Sequence, residues 1–359
     1  MMRALLLALG AALALGAHAQ ATPKWADPAK VLRVAIPIAE TGFDPQAAQD
    51  LYSNAINSEI FDSLYEYDYL ARPHRIVPRT AEALPEISAD GLTWKIRIRK
   101  GIHFADDPAF KGVKRELTAH DYVYALKRLV DPKVRSPNVF IVRGKFAGLS
   151  QAVAKANGKL DYDAEVDGVR ALDRYTLQLK FVELDNTFLP ALASSQTSAV
   201  AREVIEAYGD ASGWAMANPV GTGAFRLKEW RRGQKIVLDV NPSYREVWFP
   251  ALPANPDAEA RAAFAAMKGK RLPQVGRVEI SVIEESNPRL LAFNSRDLDM
   301  VDVPRDLVTR ALDDRNRLLP AYAKEGVTLQ RNTEANLGFF AYFNMNDPVV
   351  GGYTPERIA

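Results

Sequence analysis

Not one of the 359 residues is a cysteine, and no other feature limits the possible folds as sharply. The chain opens as an exported protein does. Met1-Met2-Arg3 is short and positive, Ala4 to Ala17 is almost wholly Ala, Leu and Gly, and Ala17-His18-Ala19 is an A-x-A cleavage pattern. Residues 1–19 are therefore expected to be a signal peptide, with Gln20 the first mature residue. The apolar run is too short to span a bilayer comfortably, and no cysteine follows the cleavage point to carry a lipid. An exported chain without disulfides must be held by its own core. At this length it can form two or more domains and bury one. The expectation is a protein released into a bacterial periplasm, with no thiolate chemistry and no cysteine metal site.

A net charge of +2, with no long single-sign run, points to neither nucleic acid nor an anionic membrane surface as partner. Both strand and helix patterns run along the chain. Val31 to Ile38 reads as a strand apolar on both sides, and so buried. The loop Ala39-Glu40-Thr41-Gly42-Phe43 follows. Asp44-Pro45 then reads as a helix cap and first-turn proline. Ala48, Tyr52, Ile56 and Ile60 form the helix stripe, with Leu51 and Ala55 alongside. Gly91 to Arg99 alternates Leu92, Trp94, Ile96 and Ile98 with Thr93, Lys95, Arg97 and Arg99, a half-exposed antiparallel strand. Thr118 to Leu129 is a capped helix, with Lys127 and Arg128 suited to its C-terminal end. Further strands are expected at 174–181, 224–230, 235–240 and 277–282, and an alanine-rich helix at 258–267. Tyr353-Thr354-Pro355-Glu356 reads as a helix start.

The glycine pair Gly221-Thr222-Gly223 invites a phosphate-loop reading. Such a loop needs a helix directly after it, so that backbone N–H groups converge on the anion. Here Phe225 and Leu227 alternate with Arg226 and Lys228, which is strand. The glycines are expected to permit close backbone approach or an unusual φ. Asp163-x-Glu165-x-Asp167-Gly168 opens like a calcium loop, but Arg174 stands where the twelfth-position acid belongs. His74, His103 and His120 lack metal-ligand spacing. No G-x-S-x-G occurs, and Asp297 and Asp299 read as solvated acids. Neither catalytic nor metal-binding residues are predicted, and no cofactor. Tyr65, Tyr67 and Tyr69 read first as a strand with one buried face, and second as an aromatic ligand wall.

Four segments, in order, resemble a known family: 31–46 with 60–68, then 91–107 with 117–132, then PVGTGAFRLKEWRRGQKIVLDVNPSY at 219–244, and 278–304. The family is the bacterial extracellular solute-binding proteins of family 5, which includes the oligopeptide and dipeptide receptors of ABC importers. The resemblance implies the α/β class and a two-lobed periplasmic-binding-protein fold (type II-like) with an extra small domain in the first lobe. Residues 20–58 and 190–283 would form that lobe, 59–189 the inserted subdomain, and 284–359 the start of a second lobe that is largely missing. It implies no enzyme, but a monomeric receptor that captures peptides and docks on an ABC permease served by separate ATPase subunits. The ligand-binding loop would be Glu40, Thr41, Gly42 and Phe43. Relatives with nickel complexes, haem, oligosaccharides or opines leave a non-peptide solute open, and a secreted hydrolase is a further alternative. Ala224 replaces a usual proline, residues 106–116 form a longer loop, and Pro250 to Lys270 looks inserted.

Overall fold

The parallel pairing of Asp27–Ile36 with Val275–Val282 organises the first sheet, running from Val31 opposite Arg277 to Ile36 opposite Val282. In this computed structural model, which describes residues 25–330, 344–348 and 352, Lys235–Val240 pairs antiparallel with Val275–Val282. Phe225–Arg231 then pairs antiparallel with Lys235–Val240 and closes the four-stranded order. Ile36, Phe225, Ile236, Leu238, Val240 and Ile280 are buried in the core on this sheet. The expected signal peptide at 1–19 and the expected helix start at 353–356 lie outside the described residues. The chain divides into two compact units, Met1–Asp306 and Leu307–Ala359. The second contains the short helices Val308–Ala311 and Pro320–Lys324.

A second four-stranded sheet, wholly antiparallel, takes Glu86–Ile87, Thr93–Arg97, Thr176–Lys180 and Val169–Asp173 in that order. The alternation in Thr93–Arg97 holds as expected: Trp94 and Ile96 are buried, and Lys95 and Arg97 are exposed. The helix Ala119–Arg128 covers this sheet, with Thr118 and Asp121 forming its capping box. Trp94, Phe146, Phe181 and Phe188 close the core in edge-on and tilted contacts.

Four expectations change. The first strand is an edge strand, and only Ile36 along it is buried. Asp299 covers that edge: its N–H donates to Arg33 O (2.8 Å), and its carboxylate accepts from Arg33 N (2.8 Å) and pairs with the Arg33 guanidinium. Asp299 is thus an edge cap and not an idle surface acid. Asp44 caps no helix. The helix is Leu51–Ile60, and Asp50 caps it by accepting from Ser53 N at 2.7 Å, because the Asp44 carboxylate is bound to Arg128. The helix buries Ser53, Ile56, Asn57 and Ile60, while Leu51 is 70% exposed. Of the three tyrosines only Tyr65 is buried. Its strand ends at Tyr67, so Tyr67 and Tyr69 turn outward. Lys127 and Arg128 stand in the last turn of their helix, as expected, and both are buried.

The acidic segment at 161–165 receives a cation from the chain itself. Lys127 Nζ donates to Tyr162 O (3.0 Å) and Ala164 O (2.6 Å). Asp163 pairs with Arg202, and Asp167 with Lys180.

Candidate functional site

Parallel strands leave a sheet at the same end, and crevices beyond their C-terminal ends are where ligands of α/β sheets bind. Ile36 and Val282 end opposite one another, and Ile283 N donates to Ile36 O at 3.0 Å. The turn at 231–234 reaches the same end, since Val282 N donates to Gln234 O at 2.9 Å. The loop after Ile36 crosses this rim to the capped start of Leu51–Ile60. Beyond Val282 the chain passes Glu284 and enters the helix Ser286–Asn294, whose Arg289 donates to the carbonyls of Ile283 (2.8 Å) and Glu284 (2.6 Å). Burial raises the Tyr52 phenol pKa. The Asp302 charge adds to that shift and Arg289 opposes it.

The four residues named from the sequence lie together here. Glu40 is buried. Its Oε1 accepts from Trp230 Nε1 and from Gly233 N (2.9 Å), while its buried Oε2 accepts no hydrogen bond from the described residues. Thr41 is exposed. Its N–H donates to Ser53 Oγ (2.9 Å) and its hydroxyl to Asp50 (2.7 Å), and its carbonyl accepts from Arg232 (3.2 Å). Burial pushes the Asp50 carboxyl up, but hydrogen bonds from Ser53 and Thr41 outweigh it and hold the pKa low. Gly42 has φ +145°, and a Cβ there would lie 2.8 Å from Met216 Sδ. Its freedom from a side chain therefore serves internal packing as well as any approach from outside. Phe43 is fully buried, 4.9 Å from the Trp230 ring, and its N–H donates to Met216 O at 2.9 Å.

Two buried charge clusters fix the platform. Arg128 comes from the helix over the second sheet and holds both oxygens of Asp44, at 3.0 and 2.7 Å, with neither side chain exposed. It also donates to Gln46 Oε1 (2.5 Å) and Gly213 O (2.7 Å), and Asp44 accepts from Ala215 N (3.0 Å). The two sheets are thereby joined next to the loop. Asp62 is the second centre. It binds Arg79 (2.6 Å) and Arg245, and accepts from Thr222 Oγ1 at 2.9 Å. Burial raises its pKa, but the charges of Arg245 and Arg79 win and keep it below the usual carboxylate range.

This explains the hydroxyl between the glycines. Thr222 reaches a buried carboxylate, while Gly221 and Gly223 lie against the backbone of 59–60. A Cβ at Gly221 would sit 2.0 Å from Ile60 O, and one at Gly223 would sit 2.4 Å from Glu59 O. Neither has positive φ, so close approach is the reason for both glycines. Phe225–Arg231 follows as strand, as expected.

Among the described residues, no cluster of three His, Cys, Asp or Glu side chains could hold a metal ion. What the rim offers is backbone polar groups, a buried carboxylate and exposed apolar side chains, Ile38 being 61% exposed. The family described as "Bacterial extracellular solute-binding proteins, family 5 Middle" matches residues 75–351. The chain belongs to this family. It is 29% identical to the periplasmic oligopeptide-binding protein of Salmonella typhimurium over 56% of this chain and 34% of that protein. It is 31% identical to a probable deoxycholate-binding periplasmic protein of Escherichia coli over 56% of this chain and 35% of that one. The solved murein tripeptide binding protein of Escherichia coli shares the fold, with TM-score 0.60, 22% identity, and 79% of this chain matched to 48% of that one. The chain thus spans half or less of the length of these family members. The family consists of solute-binding receptors, and its fold is the mixed α/β architecture described above.

Sequence reasoning did not connect Trp230, Arg232 and Gly233 with the loop. The strand is bulged between Leu227 and Glu229, and no residue type announces the bulge. The Asp44–Arg128 pair was missed for another reason: it spans 84 positions.

Proposed function

We propose that this chain belongs to the solute-capturing receptor of an ABC importer, taking up di- and oligopeptides and delivering them to a membrane permease whose ATP is hydrolysed by separate subunits. One observation carries the reading. A sheet with the fold of solved peptide receptors ends its parallel strands under an anchored loop, Glu40 to Phe43. An extended peptide is held by backbone hydrogen bonds, which give affinity without demanding one side chain. Thr41 is the exposed member of the loop, and in this reading it is the one that meets the solute. The periplasmic address rests on the leader-like residues 1–19 and on periplasmic relatives.

In this reading residues 20–58 and 190–283 form one lobe of a monomer, 59–189 its inserted subdomain, and 284 onward the start of a second lobe. The two four-stranded sheets support the first two assignments. Solute is bound and released unchanged. The deoxycholate-binding relative favours a second reading, a non-peptide amphiphile in the same place.

Calorimetric titration with a set of di- to octapeptides, followed by mass spectrometry of the recovered mixture, tests both. Saturable one-to-one binding with peptides recovered intact is expected. Binding of deoxycholate and of no peptide would establish the second reading. Loss of peptide with turnover would replace both with a hydrolase.

A further inference from the structure

The geometry points to Trp230 as the positioning residue of the Glu40–Phe43 loop, re-aimed onto it by a β-bulge. Strict alternation would place Trp230 with Arg226 and Lys228, on the face opposite Phe225 and Leu227. The pairing shows otherwise. Phe225 is opposite Val240 and Leu227 opposite Leu238, but the register then slips and Trp230 comes opposite Ile236. Val240, Leu238 and Ile236 share one buried face. One extra residue has therefore moved Trp230 to the core face at the strand's end. Bulges beside functional sites act in this way, redirecting one side chain while the rest of the ladder stays in place.

The redirected ring meets both ends of the loop. Its Nε1–H donates to Glu40 Oε1, and its ring lies tilted against Phe43 with centroids 4.9 Å apart. The residues that follow it complete the hold. Arg232 lies over the Trp230 ring at 5.6 Å and donates to Thr41 O, and Gly233 N donates to Glu40 Oε1. Glu40 is the sensitive member, because its Oε2 is already buried without a donor. Removing the indole N–H leaves a buried carboxylate with Gly233 N alone, an expensive arrangement that the loop relieves by opening. The inference rests on the solute-receptor reading only for what the loop contacts. That Trp230 holds the loop is a separate claim.

The test uses the full chain. Trp230→Phe keeps a ring against Phe43 and removes the donor, while Glu40→Gln keeps the shape and removes the charge. Amide exchange is followed by mass spectrometry over 36–46, with the strand 93–97 as internal reference. The five indole N–H signals are followed by NMR. In Trp230→Phe the loop is expected to exchange about 10-fold faster or more, with the reference strand unchanged. In Glu40→Gln a single indole signal is expected to move upfield. Loop exchange within twofold of wild type, or five unmoved indole signals, would overturn the assignment. If Trp230→Phe loses protection everywhere, the indole shift in Glu40→Gln decides alone. Peptide affinity measured on the same variants separates the two claims. A loosened loop with unchanged affinity would leave Trp230 as its anchor and remove Glu40–Phe43 from the solute site.

Discussion

Gly221→Ala is the sharpest perturbation the structure offers. The new methyl carbon would stand 2.0 Å from Ile60 O, 2.8 Å from Ile60 C and 2.9 Å from Phe61 Cδ1. The first contact is about 1 Å short of any tolerated distance, and Ile60 O is a backbone atom that cannot swing away as a side chain could. The segments must separate. Three bonds resist: Gly223 N to Ile60 O (2.8 Å), Ala105 N to Gly221 O (2.9 Å) and Thr222 Oγ1 to Asp62 (2.9 Å). Overpacking costs ~1–3 kcal/mol. Breaking one or two of these buried bonds, with groups left unpaired, adds ~1–3 kcal/mol. The sum is ~2–6 kcal/mol, which at ~2–4 °C per kcal/mol for a domain of this order lowers the melting temperature by ~10 °C. Urea unfolding followed by circular dichroism, with and without phosphate, measures it. A variant within ~0.5 kcal/mol of wild type would refute the close-approach argument. Stabilisation of the wild type by phosphate would revive the phosphate-loop reading.

Two further outcomes concern charged side chains. Arg128→Met leaves the Asp44 carboxylate buried with only main-chain donors, Gln46 N and Ala215 N. It should cost ~3–5 kcal/mol in urea unfolding, and the double variant with Asp44→Asn should cost less than the sum of the two single changes. Glu116 accepts from Gly101 N (2.7 Å), and from Tyr175 and Arg174. The Gly101 bond leads in holding its pKa down, to about 2 from an ordinary 4.5. A depressed carboxylate contributes stability that is full above its unfolded value and lost as pH falls through its folded one. Stability should thus decline between about pH 4.5 and 2, and Glu116→Gln should flatten that stretch of the profile. An unchanged slope in the variant would contradict the assignment.

Alternation and capping were legible in the sequence because they are local. Trp94, Ile96 and Ile98 face one core as their spacing requires, and Thr118 with Asp121 starts its helix where the pattern places it. The close approach at Gly221 and Gly223 could also be read, since strand and not helix follows them. What escaped depends on distant partners. Asp44 has the form of a helix cap, yet Arg128 takes its carboxylate and the cap passes to Asp50. The first strand looks buried on both sides, yet the topology sets it at an edge that Asp299 covers. Strict alternation would set Trp230 on the wrong face, because a bulge changes parity without a sequence mark. The loop Glu40 to Phe43 was located from family likeness. Its hold by Trp230, Arg232 and Met216 emerges only in three dimensions.

The most direct test of the account is native mass spectrometry of the protein purified from the periplasm of its source cells. A monomer carrying one small solute is expected, the solute released on denaturation with masses that fragment as peptides. A protein that is recovered empty, and stays empty when peptides are added, would contradict it.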